Sequence, residues 1–141
     1  MDESKQPGIR FDNILLGRLN FDRKPTIVSN PELDVHFSVN KSFTNDKRRL
    51  TIELSVILTE KKGDSFKIEC AMVGIFSIVA DQENMSLEEF SEVNGPALML
   101  PYIREVIANI TMRSGIKPVI LPPLNVKSVV QSSKEVTEKK T

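Results

Sequence analysis

Two stretches of this chain alternate apolar and polar residues with a period of two, and that pattern constrains its architecture more than any other feature. In ELDVHFSVN, Leu33, Val35, Phe37 and Val39 point one way, and Asp34, His36, Ser38 and Asn40 the other. In LTIELSVILTE, Leu50, Ile52, Leu54, Val56 and Leu58 share a face opposite Thr51, Glu53, Ser55 and Thr59, with Ile57 the exception. Successive side chains of a strand project to opposite sides, so each stretch reads as a strand with one buried and one wet face. KKGDS then turns the chain as a hairpin loop into SFKIECAMVGIFSIVA, which is apolar on both faces from Ala71 to Ala80 apart from Ser77 and is expected to be covered on both sides there. Gly74 within it marks a bulge or a close approach of another backbone. Upstream, ILLGRLNFDRKP (Ile14 to Pro25) has extended character, and the loop from Lys24 to Glu32 carries two prolines. Four strands of this kind make a sheet, with the last two joined as a hairpin.

The helical part of the chain sets a second constraint. Ser86 and Glu89 have capping-box spacing and start a short acidic turn. Asn94 reads as the N-cap of a long helix with Pro96 in its first turn, and Gly115 as the residue just past its end. Met99, Tyr102, Ile103, Val106, Ile107 and Ile110 fall on one face, while Ala97, Leu100, Pro101, Ala108 and Met112 spread over the other. Only Arg104, Glu105, Asn109 and Arg113 are clearly hydrophilic, and a helix apolar nearly all round is buried on more than one side. Four strands at ~4.8 Å spacing present a face roughly 15–20 Å wide, whereas a helix is ~10–12 Å across. One helix therefore cannot cover the sheet, and a second copy of the chain is the expected source of the missing layer.

Few functions other than binding survive a search for chemistry. His36 is the single histidine and lies on the polar side of its strand; Cys70 is the single cysteine and sits in a strand pattern as a small buried hydrophobe. Two such residues fall short of the three ligands a zinc site needs, and no nucleotide-binding, nucleophile-elbow or metalloprotease motif occurs. Glu88, Glu89 and Glu92 read as a solvated helix face. No enzyme, cofactor or metal is expected. Nineteen basic residues balance nineteen acidic ones, which gives no footprint for nucleic acid. The mixed charges of MDESKQPGIRFD do not make a signal peptide, and Arg104 and Glu105 interrupt the best membrane-span candidate, so a cytoplasmic protein without membrane insertion is expected. What remains is apolar surface on two proline-rich connections. Ile27 and Val28 in one, and Val119, Ile120, Leu121 and Leu124 in IKPVILPPLNV, have no evident core to enter; two readings stand, that this apolar surface marks recognition and that the loops close over the ends of the sheet.

These segments resemble the SecB family of protein-export chaperones. GIFSI (Gly74 to Ile78), LPYIRE (Leu100 to Glu105), RSG at the helix end and LPPLNV (Leu121 to Val126) look like the family's most recognisable pieces, in the right order, and the similarity spans roughly residues 11 to 130. The resemblance implies an α+β subunit with a four-stranded antiparallel sheet, a long helix and a shorter C-terminal helix, assembled as a homotetramer, a dimer of dimers, with the long helices between two eight-stranded sheets. Tyr102, Ile103, Val106, Ile107 and Ile110 would form the oligomer interface. Residues 1–10 would be a flexible arm, 11–130 the chaperone domain and 131–141 a polar tail.

It also implies a function: an ATP-independent holdase that binds unfolded preproteins in apolar grooves and passes them to the translocase motor SecA. The client-binding positions carried over are Ile27 and Val28, then Leu121, Leu124 and Val126, then Val129 and Val130. Asp22 and Glu69 match the acidic residues through which the family docks on SecA, whereas Arg18 stands where the family shows an acid. The readings that compete with export are a SecB-like chaperone dedicated to another client, such as an antitoxin, and a structural or adaptor oligomer.

Overall fold

The computed structural model describes residues 8–27, 32–61, 65–79, 85–119 and 121. Four strands, β1 (Ile9–Arg23), β2 (Leu33–Phe43), β3 (Arg49–Glu60) and β4 (Phe66–Ile78), precede two helices, α1 (Leu87–Glu92) and α2 (Asn94–Arg113). The strands form one antiparallel sheet in the order β1-β4-β3-β2. The two period-two segments become β2 and β3, paired from Leu33↔Glu60 to Phe43↔Leu50. β1 and β2 occupy opposite edges, so the connection from residue 24 to residue 32 carries the chain from one side of the sheet to the other.

Alternation decides what lies under the helix. Phe66, Ile68, Cys70, Met72 and Phe76 of β4 and Leu50, Ile52, Leu54, Val56 and Leu58 of β3 are buried on one face, where α2 packs against both strands. Two glycines permit the close contact. A Cβ on Gly74 would come 2.8 Å from Met99 Sδ, and one on Gly95 would come 2.5 Å from Ile52 Cδ1. Gly74 thus makes room for a helix side chain, neither as a bulge nor for another backbone; the register breaks fall in β1, between Phe11 and Asn13 and between Leu16 and Arg18. β1 also begins at Ile9, paired with Ile78, so the first strand starts before Ile14.

The helix ends follow local chemistry, with one correction. Ser86 Oγ accepts from the Glu89 N–H at 3.1 Å, as the capping-box spacing requires. Asn94 is not an N-cap. α1 and α2 are separated by Val93 alone, which occupies the cap position with no side-chain bond, and Asn94 is already helical. At the other end Gly115, with φ of 78°, lets Ile116 N–H reach Thr111 O at 3.2 Å and Gly115 N–H reach Met112 O at 3.3 Å, a Schellman ending. Pro101 lies inside α2 on an exposed side, where water can satisfy the Ala97 carbonyl that its missing N–H leaves without a partner. Lys41 Nζ bonds Ser91 Oγ at 3.1 Å and Glu92 at 3.4 Å, and Lys47 pairs with Glu88 at 3.1 Å, tying α1 to β2 and to the hairpin after it.

Within this single chain α2 is buried on one side only. Gly95, Pro96, Met99, Ile103, Ile107 and Thr111 face the sheet, while Leu98, Tyr102 and Met112 are 47%, 45% and 58% exposed. Ile103 and Ile107, expected at an oligomer interface, are instead fully buried in the subunit's own core and have no surface to offer another copy. Tyr102 is exposed, and Val106 and Ile110 are half-buried.

Candidate functional site

The end of the sheet where β1 finishes is organised by Arg23. Its guanidinium donates Nε–H to Lys24 O at 3.0 Å, Nη2–H to Pro25 O at 3.1 Å and Nη1–H to Ser114 O. One side chain therefore fixes the start of the connection that leads to β2 and caps the Ser114 carbonyl just past the end of α2, where a cation is favoured by the helix dipole. Thr111 holds the chain beyond the helix. Its hydroxyl donates to Ile107 O at 2.9 Å and accepts the Val119 N–H at 2.8 Å, so the segment after Gly115 folds back against the helix end. Ile27 and Val119, half-buried, pack against the same core as buried Ile116 and Leu121.

The expected client-contacting residues divide here. Ile27 keeps part of its surface, but Leu121 is 1% exposed and belongs to the core beneath the connection, so in this chain it has no open face to present. Val28, Leu124, Val126, Val129 and Val130, the shorter C-terminal helix and the tail lie outside the described residues.

Open apolar surface lies elsewhere on the helix side. Leu16 of β1 is registered with buried Met72, and Val35 of β2 with Leu58, so both point to the side on which α2 packs. They are nevertheless 49% and 38% exposed, because α2 packs on the central strands and leaves both edges uncovered. Together with Leu98, Tyr102 and Met112 they form a broken apolar layer, which the estimate of sheet width against helix width predicts in kind. Phe11 links part of it to the core, stacking on Phe76 at 4.6 Å and meeting Tyr102 edge-on at 6.0 Å.

The opposite face of the sheet is mixed. Asp22 and Glu69 both lie on it, but Lys67 sits across from Asp22 in the register and pairs with Glu69 at 3.0 Å. Lys67, by hydrogen bond and charge, holds the Glu69 carboxyl below its usual range, with smaller help from Asn20 and Arg18. The two acids thus belong to a charge-balanced group with Arg18 and Lys67. Burial pushes the Cys70 thiol up to about 11. Among the described residues no three His, Cys, Asp or Glu side chains gather as metal ligands, and no helix is long and apolar enough to cross a membrane.

A sheet of this order, with one long helix laid across one face, is the fold of the SecB-like chaperones. A Mycobacterium tuberculosis SecB-like chaperone, solved in complex with a ChAD peptide from the HigA1 antitoxin, superposes with a TM-score of 0.69 at 18% identity, over 83% of this chain and 90% of that one. The chain belongs to the SecB family: the family model described as preprotein translocase subunit SecB matches residues 3–137. Among its relatives are the protein-export protein SecB of Thiobacillus denitrificans, 25% identical over 92% of this chain and 88% of its own, and that of Aromatoleum aromaticum, 31% identical over 73% and 65%. An uncharacterized protein of Methanocaldococcus jannaschii is 25% identical over 100% of this chain and 94% of its own.

Arg23, Thr111, Leu16 and Val35 are the site-shaping residues that sequence reasoning did not single out. Val35 was legible only as an inward strand residue. Arg23 carried no signal, since its bond to Ser114 spans 91 positions of sequence.

Proposed function

We propose that the chain is a protein-export chaperone that works as an ATP-independent holdase in the cytoplasm, capturing unfolded polypeptides on apolar surface. The observation that carries this reading is the uncovered apolar layer of Leu16, Val35, Leu98, Tyr102 and Met112 in a member of the SecB family. Exposed patches of this kind are unusual on a soluble monomer unless something binds there. Part of the layer would be covered by other copies of the chain: the long unpaired edge of β1 would meet its equivalent to extend the sheet, and the outer side of α2, with Tyr102, Val106 and Ile110, would pack against another dimer. The remainder, beside Ile27 and the connection after α2, would receive the client through many weak contacts that only an extended chain can make at once.

Adding the protein to a reduced, slowly folding client is expected to slow its refolding without ATP, and Ile27→Asp to weaken that arrest. Refolding at an unchanged rate in a molar excess of the chain would sink the reading. Coupling to SecA would use Asp22 and Glu69, so Glu69→Arg should remove SecA association and leave client arrest intact. The charge balance around Lys67 favours a second reading, a chaperone dedicated to one client such as an antitoxin. On that reading SecA association is absent from the start.

A further inference from the structure

A second recognition site lies on the face of the sheet away from α2, at the end where β1 begins. Arg10 of β1 and Arg49 of β3 are the cross-strand neighbours of Ser77 on β4, one on each side, and Arg48 stands next to Arg49 at the end of the β2–β3 hairpin. These residues, with Thr44 and Asp46 of the hairpin, line a cavity of about 540 Å³. We propose that this cavity docks an acidic peptide segment, whose carboxylates are taken by the guanidiniums of Arg10, Arg48 and Arg49.

The scaffold around it is built before any ligand arrives. Thr44 N–H bonds Arg49 O at 3.1 Å, Lys47 N–H bonds Thr44 O at 2.8 Å, and Ile78 N–H bonds Arg48 O at 3.0 Å, so the hairpin is tied into a turn and pinned to β4. Asp46 Oδ1 is occupied inside the hairpin by the Thr44 hydroxyl at 2.7 Å and the Arg48 N–H at 3.1 Å. Asp12 takes Arg10 Nε–H. Among the described residues the guanidiniums of Arg48 and Arg49 form no ion pair, and a guanidinium presents a planar fork that matches a carboxylate.

Ser77 supplies the independent pointer. It is 6% exposed, lines the cavity, and its Oγ meets hydrogen-bond geometry with no other group. Against the desolvation that raises it, Arg10 and then the Ser77 hydroxyl lower the Asp12 pKa, so Asp12 is the group toward which that hydroxyl leans without meeting full hydrogen-bond geometry. Buried hydroxyls are almost always bonded, and this one, beside three arginines, is placed to donate to an anion held by them.

A peptide fits better than a nucleic acid. Phosphate backbones are bound by long basic tracks, whereas this chain balances nineteen basic against nineteen acidic residues, and Asp12 and Asp46 flank the arginines closely enough to repel a continuous line of phosphates. Discrete carboxylates can each find a guanidinium between them.

The test is fluorescence anisotropy of a short labelled polyglutamate peptide titrated with the full chain. Binding that weakens with added salt is expected, because the pairs are exposed. The double variant R48Q/R49Q, and separately Arg10→Gln, should each weaken it about tenfold or more. Arg18→Gln removes the same charge from the same face outside the cavity and should leave binding unchanged. Arg48 and Arg49 are exposed, so the double variant should keep the parent's circular dichroism. Absence of peptide binding, equal losses in Arg18→Gln and R48Q/R49Q, or tighter binding of a single-stranded oligonucleotide or inorganic phosphate than of the peptide would each overturn the assignment.

Discussion

Cys70 illustrates how position overrides residue type. A cysteine is reactive only as thiolate, and burial beneath α2, at 1% exposure, raises its pKa to about 11. Roughly one thiol in ten thousand is then ionised at pH 7. Thiol-specific labelling of the native protein is therefore expected to be slow, and to become fast once urea opens the core. Fast labelling without denaturant would mean that α2 does not cover β4 as described. A small buried hydrophobe was legible in FKIECAM because its neighbours alternate. Thr111 was not legible. A threonine inside a helix ordinarily turns its hydroxyl to the preceding turn, and nothing nearby in sequence signals that it also receives the Val119 N–H.

Among the elements, α1 is anchored by packing, with Leu87 and Phe90 buried in the core, and charge adjusts how firmly it is held. It has only six residues, fixed by its Ser86 cap and by the ion pairs of Glu88 with Lys47 and Glu92 with Lys41. Hydrogen bonding to its own backbone N–H, then to Lys47, lowers the Glu88 pKa from its ordinary 4.5. A depressed carboxylate pKa stabilises the folded form above 4.5, and that contribution is lost as pH falls through the lowered value. Protection factors of the α1 amides, corrected for the intrinsic exchange rate at each pH, should fall on acidification from pH 5 downwards before those of β3 do, and Glu88→Gln should remove much of that pH dependence. Uniform protection of both elements across the same range would contradict it. β2 and β3 were readable because one wet face gives period-two contrast. The buried side of α2 was not, since a helix apolar nearly all round offers no contrast, and Ile103 and Ile107 were assigned to the wrong surface for that reason. The exposure of Leu16 and Val35 was hidden too. It depends on β1 and β2 being the edges, which follows from the strand order and not from either strand's own residues.

For the whole molecule, a sheet wider than its helix leaves a subunit that is finished on neither side of α2. Arithmetic on strand and helix widths makes that legible in the sequence, and the exposed Leu98, Tyr102 and Met112 give it named residues. In the function proposed above, copies of the chain and unfolded clients divide this surface between them. Light-scattering mass of the purified protein, alone and with a reduced, slowly folding client, reads both. About four chain masses are expected alone, rising when the client is added. A monomer whose mass the client leaves unchanged would contradict both the assembly and the holdase reading.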